Sequence, residues 1–216
     1  MKKQLIDRTV KYVRQALEGE GSGHDWWHIW RVWQNAKMIG KNEQVDMLVV
    51  ELAALLHDIA DYKFHGGDDT VGPRKAGEWL EKLAVDEETI KKVKEIIEDI
   101  SFKGAKVKTK VRSKEGEVVQ DADRLDAMGA IGIARCFAYG GHDNREIYNP
   151  DIKPKMHKKA EAYKTNKGTS VNHFYEKLLL LKDLMNTDIA KRIAEERHKF
   201  MEIYLERFHQ EWKEQV

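Results

Sequence analysis

The stretch from Val45 to Ala60 constrains the architecture more than any other part of this 216-residue chain. Val45, Leu48, Val49, Leu52, Ala53, Leu55, Leu56 and Ile59 recur at helical spacing and leave almost no polar face. A helix that is apolar nearly all round is normally the buried one, so residues 45–60 are expected at the centre of the fold. The same stretch carries His57 and Asp58, in LAALLHDIAD. Buried polar groups cost free energy unless they are partnered, and a bound cation would supply the partner.

The remaining segments also read at helical period. Residues 2–18 place Leu5, Ile6, Thr9, Val13, Ala16 and Leu17 on one broad stripe, and Gly19, Gly21 and Gly23 then break the chain. A tryptophan-rich helix is predicted over 24–40, ending at Gly40, and further helices at about 74–84, 87–100, 117–138, 172–184 and 187–213. Residues 101–116, with Gly104, β-branched residues and six basic side chains, read as a loop or a short hairpin. Residues 139–171 hold Gly140, Gly141, Pro150, Pro154 and Gly168 and read as a long, flexible loop. With only three prolines in the chain, long uninterrupted helices are favoured. The expectation is an all-α, single-domain helical bundle spanning 1–216, with no internal repeat.

Charge excludes some functions. Thirty-eight basic residues against 37 acidic ones leave a formal net charge of +1, which argues against charge-driven disorder and against a dedicated nucleic-acid binder. The runs Leu52–Leu56 and Leu178–Leu181 are too short to span a bilayer, so no membrane partner is expected. The single cysteine, Cys136, excludes an internal disulfide framework. It lies in an apolar segment and reads as an inert packing residue. Together with a charged N-terminus lacking a signal-peptide core, this predicts a cytoplasmic protein. Oligomeric state is left open.

Four residues carry the chemistry: His28 in HDWWHIWRV, the pair His57-Asp58, and Asp123 in VVQDADRLDAMG. Adjacent helix positions point about 100° apart. His57 and Asp58 can still converge on one ion if the helix edge lines the pocket. Two imidazoles and two carboxylates make a mixed nitrogen and oxygen site suited to one divalent ion: Mn²⁺, Fe²⁺, Ni²⁺, Co²⁺, Zn²⁺ or Mg²⁺. Such a site, with positions open to water and substrate, suits hydrolysis of a phosphoester or phosphoanhydride.

In its ordered His, His-Asp and Asp, the sequence resembles the HD-domain metal-dependent phosphohydrolase superfamily. HDWWHIWRV, LLHDIAD, DADRLDAMGAIGIAR and SVNHFYEKLLLLKDLMNT look like its small stand-alone bacterial branch, over roughly residues 20–205. The resemblance implies an all-α HD core over about 20–138 with a C-terminal helical part over about 172–213. It also implies a single catalytic divalent ion and phosphohydrolase or nucleotide pyrophosphohydrolase activity. The dinuclear branches need extra histidines before the last aspartate, whereas only His65 lies between Asp58 and Asp123, which favours a mononuclear site. HDIADYKF has Asp61 and Tyr62 where alarmone hydrolases carry a Glu-Asp pair, and the GYP extension of cyclic-dinucleotide phosphodiesterases is absent.

Around this set, Asp61 reads as general base or water orienter, or else as a helix-end carboxylate facing solvent. Lys103 is a candidate phosphate contact. Arg124 and Asp126 read either as substrate contacts or as a structural pair. His24 reads as a helix-start residue or a phosphate contact sharing a helix face with His28, and Arg31 stands on the turn after His28. Asp68 and Asp69 are expected to cap the next helix. His173 and Lys177, four apart on a predicted helix, extend towards the site by the same branch resemblance. Trp26, Trp27, Trp30 and Trp33 are expected mainly in the core, with base stacking as the alternative. The basic stretches 103–114 and 153–167 read as solvated faces or as a polyphosphate surround.

The expected partner is a small phosphorylated substrate, a nucleotide above all. The expected reaction is nucleotide pyrophosphohydrolysis, with 5′-nucleotidase activity or a catalytically silent nucleotide-binding module as alternatives.

Overall fold

A computed structural model describes residues 2–21, 23–60, 68–100, 111–156 and 168–214. The described residues are helices, turns and loops with no strand, as expected of an all-α chain. None of their helices is long and apolar enough to cross a membrane. Two compact units divide them. The first runs to Ile100 and resumes from Val111 to Asp123; the second begins at Arg124.

The first unit is built around α3 (Met47–Leu56), which packs on α1 (Lys2–Ala16), α2 (Trp26–Gly40) and α5 (Glu87–Asp99). Leu52, Leu55 and Leu56 of α3 are fully buried. Each such side chain contributes about 1.5–3 kcal/mol relative to exposure. The all-round apolar pattern thus has the central position expected of it. The helix is shorter than the sequence suggests, because Asp46 caps it by accepting the Leu48 amide at 2.9 Å and His57 already forms its C-cap.

α4 (Val71–Lys82) packs on α5 and is tied to α1. Tyr12 stacks on Trp79 at 3.9 Å, and the Trp79 indole N–H donates to Thr9 Oγ1 at 3.1 Å. Asp68 does not cap this helix directly. It accepts from the Thr70 amide and hydroxyl at 2.9 and 2.7 Å in an Asx turn, and Thr70 is the N-cap residue.

α6 (Lys114–Asp126) starts three residues earlier than predicted, because Ser113 accepts the Gly116 amide and so caps it. Just upstream, the Arg112 guanidinium bonds Asp99 at 2.8 Å and Glu98 at 2.9 Å, fastening the entry to α6 onto the end of α5. Within the first unit, Val118, Val119 and Ala122 of α6 are fully buried, and Asn35 of α2 reaches the Ala122 carbonyl.

In the second unit the single helix predicted over 117–138 is broken. α6 ends at Asp126, Met128 is extended, and α7 (Gly129–His142) begins anew. Two glycines permit the break. Gly129 takes φ +67°, and a Cβ on Gly132 would stand 2.3 Å from the Ala127 carbonyl carbon and oxygen. Gly140 and Gly141, predicted to open a loop, are helical.

The helix predicted over 172–184 is also two elements: α8 (Ser170–Glu176) and a 3₁₀ helix (Leu178–Leu184). The chain turns at Lys177, with φ −142° and ψ −59°. The three-residue period of the 3₁₀ segment puts Leu178 and Leu181 on one buried edge. α9 (Asp188–Glu214) packs on α7 and on the 3₁₀ helix.

Candidate metal centre

The first unit brings all four expected ligands together. α2 supplies His28, and its first turn is fixed by the N-cap Asp25, whose carboxylate accepts the His28 amide at 2.9 Å. His57 and Asp58 follow α3 directly, in a turn where the Ile59 amide bonds the Leu56 carbonyl. This turn past the helix end lets two adjacent side chains converge. Asp123 comes from α6, held against α2 by the Asn35 contact next to it and by Val118 beside Gly40.

The donor atoms are close. His28 Nε2 lies 3.3 Å from His57 Nε2, 3.3 Å from Asp58 Oδ2 and 3.6 Å from Asp123 Oδ1. His57 Nε2 lies 3.7 Å from each of the same two carboxylate oxygens. Bonds of about 2.0–2.2 Å to a divalent ion set neighbouring ligands roughly 3.0–3.5 Å apart, so this spacing fits one shared cation. Burial grades across the set. The His28 side chain is fully buried and that of Asp123 is 33% exposed, so the imidazoles back the site and a carboxylate faces water.

Tautomer and charge agree with that use. His57 Nδ1 is 2.9 Å from the Ala54 carbonyl, which can only accept, so Nδ1 carries a proton and Nε2 is the ring nitrogen that faces the centre. Burial disfavours the Asp58 carboxylate, but His57, with hydrogen bonds from His24 and His28, holds its carboxyl well below the ordinary range.

The surrounding candidates separate. His24 stands before the helix, not on a shared face with His28, yet its Nδ1 reaches Asp58 Oδ2 at 2.9 Å. It therefore joins His28 and Asp58 in a cluster that helical spacing did not foresee; the signal was its place just ahead of the capping Asp25. Arg31 is half-buried on α2. Asp61 and Lys103 lie outside the described residues, as does His65.

Arg124 and Asp126 belong to the second unit and do not pair with each other there. The Arg124 guanidinium donates to the Leu184 carbonyl, and Arg135 bonds Asp126 at 3.0 Å. Both are buried. Lys177 is the C-cap of α8, and its amide bonds the His173 carbonyl at 3.0 Å. Trp27 and Trp30 are exposed rather than in the core, packed edge to face at 6.2 Å, and Trp33 donates to Glu51 at 2.8 Å. Trp26 and Trp27 line a cavity of about 540 Å³ with Lys11 and Arg14.

Similar proteins share this layout. The family model for the HD domain matches residues 26–128. The uncharacterized protein YpgQ of Bacillus subtilis is 42% identical over 193 residues, covering 88% of this chain and 85% of YpgQ. A crystal structure of YpgQ in complex with ADP superposes with a TM-score of 0.76, covering 97% of this chain and 96% of that one, at 36% identity. An HD-superfamily hydrolase from Bacillus thuringiensis is 45% identical, covers 99% of both chains and gives a TM-score of 0.75. A Lactobacillus plantarum protein of known structure is 38% identical, with a TM-score of 0.88 over 99% of this chain and 98% of that one.

Proposed function

The chain belongs to the HD-domain phosphohydrolase superfamily, and from that premise we propose that it is a metal-dependent hydrolase of nucleotides, splitting a nucleoside triphosphate to the monophosphate and pyrophosphate. The observation that carries the reading is the gathering of four donor atoms, two imidazole nitrogens and two carboxylate oxygens, from three separate elements. The ADP in the YpgQ crystal supports a nucleotide as the ligand class.

In this reading His28, His57, Asp58 and Asp123 hold one divalent ion. When bound, such an ion lowers the pKa of a coordinated water and polarises a phosphoryl oxygen. Nitrogen and oxygen donors together accept Mn²⁺, Mg²⁺, Ni²⁺, Co²⁺, Fe²⁺ or Zn²⁺. Hydrolysis would add a water oxygen to the α-phosphorus, with pyrophosphate leaving with the electron pair of the broken bond. Asp61 would take that water's proton, and Lys103 and Arg31 would offset phosphate charge. The exposed rim at Asp123 is where substrate enters.

A panel of nucleoside mono-, di- and triphosphates with Mn²⁺ or Mg²⁺ tests the proposal. Pyrophosphate from triphosphates is the expected product. Inorganic phosphate released from monophosphates would make the enzyme a 5′-nucleotidase instead. Binding without turnover across the panel would make it a silent module. Asp61→Asn and Lys103→Ala, each losing turnover in an intact fold, would test those two roles.

A further inference from the structure

We propose that His24 is a positioning residue of the metal centre, donating a hydrogen bond from Nδ1–H to Asp58 Oδ2 and so fixing that carboxylate towards the ion. The inference rests on the metal-centre reading above and adds a member that does not itself touch the ion.

The geometry is specific. His24 Nδ1 is 2.9 Å from Asp58 Oδ2, and His28 Nε2 approaches the same oxygen at 3.3 Å. A carboxylate oxygen has two lone-pair directions, so one can accept from His24 while the other turns to the centre. His24 immediately precedes Asp25, whose side chain caps α2 through the His28 amide, so it adjoins the capped turn that carries His28. Their rings meet nearly at right angles, 5.7 Å apart. Asp58, by contrast, sits in the turn beyond α3, where an aspartate side chain has rotamers to choose from. A donor from a neighbouring element removes that choice before the ion arrives. Carboxylate ligands are commonly held in this way, and loss of the outer partner typically lowers metal affinity about 10–100-fold.

The test is the Mn²⁺ affinity of the purified protein, measured by calorimetric titration, with helical circular dichroism as the check on folding. His24→Ala is expected to weaken Mn²⁺ binding about 10–100-fold. His24→Asn offers an amide N–H near the Nδ1 position and is expected to recover most of the loss. His24→Asp offers a carboxylate that can ligate but not donate, and is expected to recover none. Unchanged affinity in His24→Ala would overturn the proposal. So would recovery by His24→Asp but not by His24→Asn, which would make His24 a direct ligand. Asp58→Ala separates this failure from failure of the metal centre. If Asp58→Ala loses Mn²⁺ while His24→Ala keeps it, the centre stands and the role of His24 falls. If the wild type binds no Mn²⁺, both fall.

Discussion

The Nε2 atoms of His28 and His57 face each other across 3.3 Å. The Ala54 carbonyl accepts from the Nδ1 of His57, so Nε2 is the nitrogen that ring turns to the cluster. The carboxylate oxygens of Asp58 and Asp123 lie 3.3–3.7 Å from the same two nitrogens, a negative surround that attracts a cation. The apolar α3 therefore ends at a polar cluster whose donor spacing suits one metal ion.

His57→Ala and Asp58→Ala should each abolish metal-dependent hydrolysis while leaving the far-ultraviolet circular dichroism unchanged, since α3 ends at Leu56. Wild-type protein at a Mn²⁺ concentration a hundred times its Kd should gain about 2.7 kcal/mol against unfolding. The two variants should gain almost nothing, and a thermal melt with and without Mn²⁺ reads the difference. A full Mn²⁺-dependent rise in Tm in His57→Ala would show that the ion binds elsewhere.

Cys136 offers a check on the second unit by pH. Burial pushes its thiol up to about 12, only partly countered by Arg145 and Lys177, and Sγ lies 3.4 Å from the Ser170 carbonyl. The thiolate, not the thiol, is the nucleophile. The folded protein should react slowly with a disulfide reagent at pH 8, and the denatured protein fast. The linkage sign follows. Unfolded chains begin to lose this proton near pH 8.5 while the folded one keeps it, so the site costs stability as pH rises above that value. Cys136→Ser should flatten that alkaline loss in a denaturation series from pH 7 to 10.

The candidate set His28, His57, Asp58 and Asp123 was legible in the sequence because a metal site needs unusual residues in unusual surroundings. His57 and Asp58 at the end of an all-apolar stretch could hardly be surface ornament. Packing of α3 followed from the same pattern. Less legible were features that depend on a single backbone torsion or on partners remote in sequence. The stretch 117–138 keeps its small and apolar residues through the break, so only the φ of Gly129 and the backbone against Gly132 reveal two helices. The leucines at 178–181 satisfy a period of three as readily as one of 3.6, which hid the 3₁₀ segment. Arg124 and Asp126, close to Asp123 in the chain, bond the Leu184 carbonyl and Arg135, partners the sequence did not point to. Of the two readings of His24, the helix-start position holds and the shared face with His28 does not: it stands just before the N-cap and meets Asp58 from another element.

Core truncation should show where stability resides. Leu55 is fully buried in the helix that α1, α2 and α5 surround. Leu55→Ala should cost about 2–5 kcal/mol, the range for deleting a buried leucine side chain and leaving a cavity. The same change at Leu184, 38% exposed, should cost far less. Urea denaturation of both variants compares them directly. Equal losses would contradict the central position of α3.

Gly132→Ala isolates the break between α6 and α7. The added methyl would meet the Ala127 carbonyl carbon and oxygen at 2.3 Å, closer than carbon atoms approach without a shift. Those neighbours are backbone, so no side chain can swing aside. Overpacking of this kind costs about 1–3 kcal/mol, occasionally more, and alanine's higher helix propensity returns less than about 1 kcal/mol. The net effect should be a lower Tm. Gly141→Ala, on the same helix with open space around it, should instead hold or raise Tm, because only the propensity gain applies. If Gly132→Ala stabilised the protein as Gly141→Ala does, α6 and α7 would have to be one continuous helix after all.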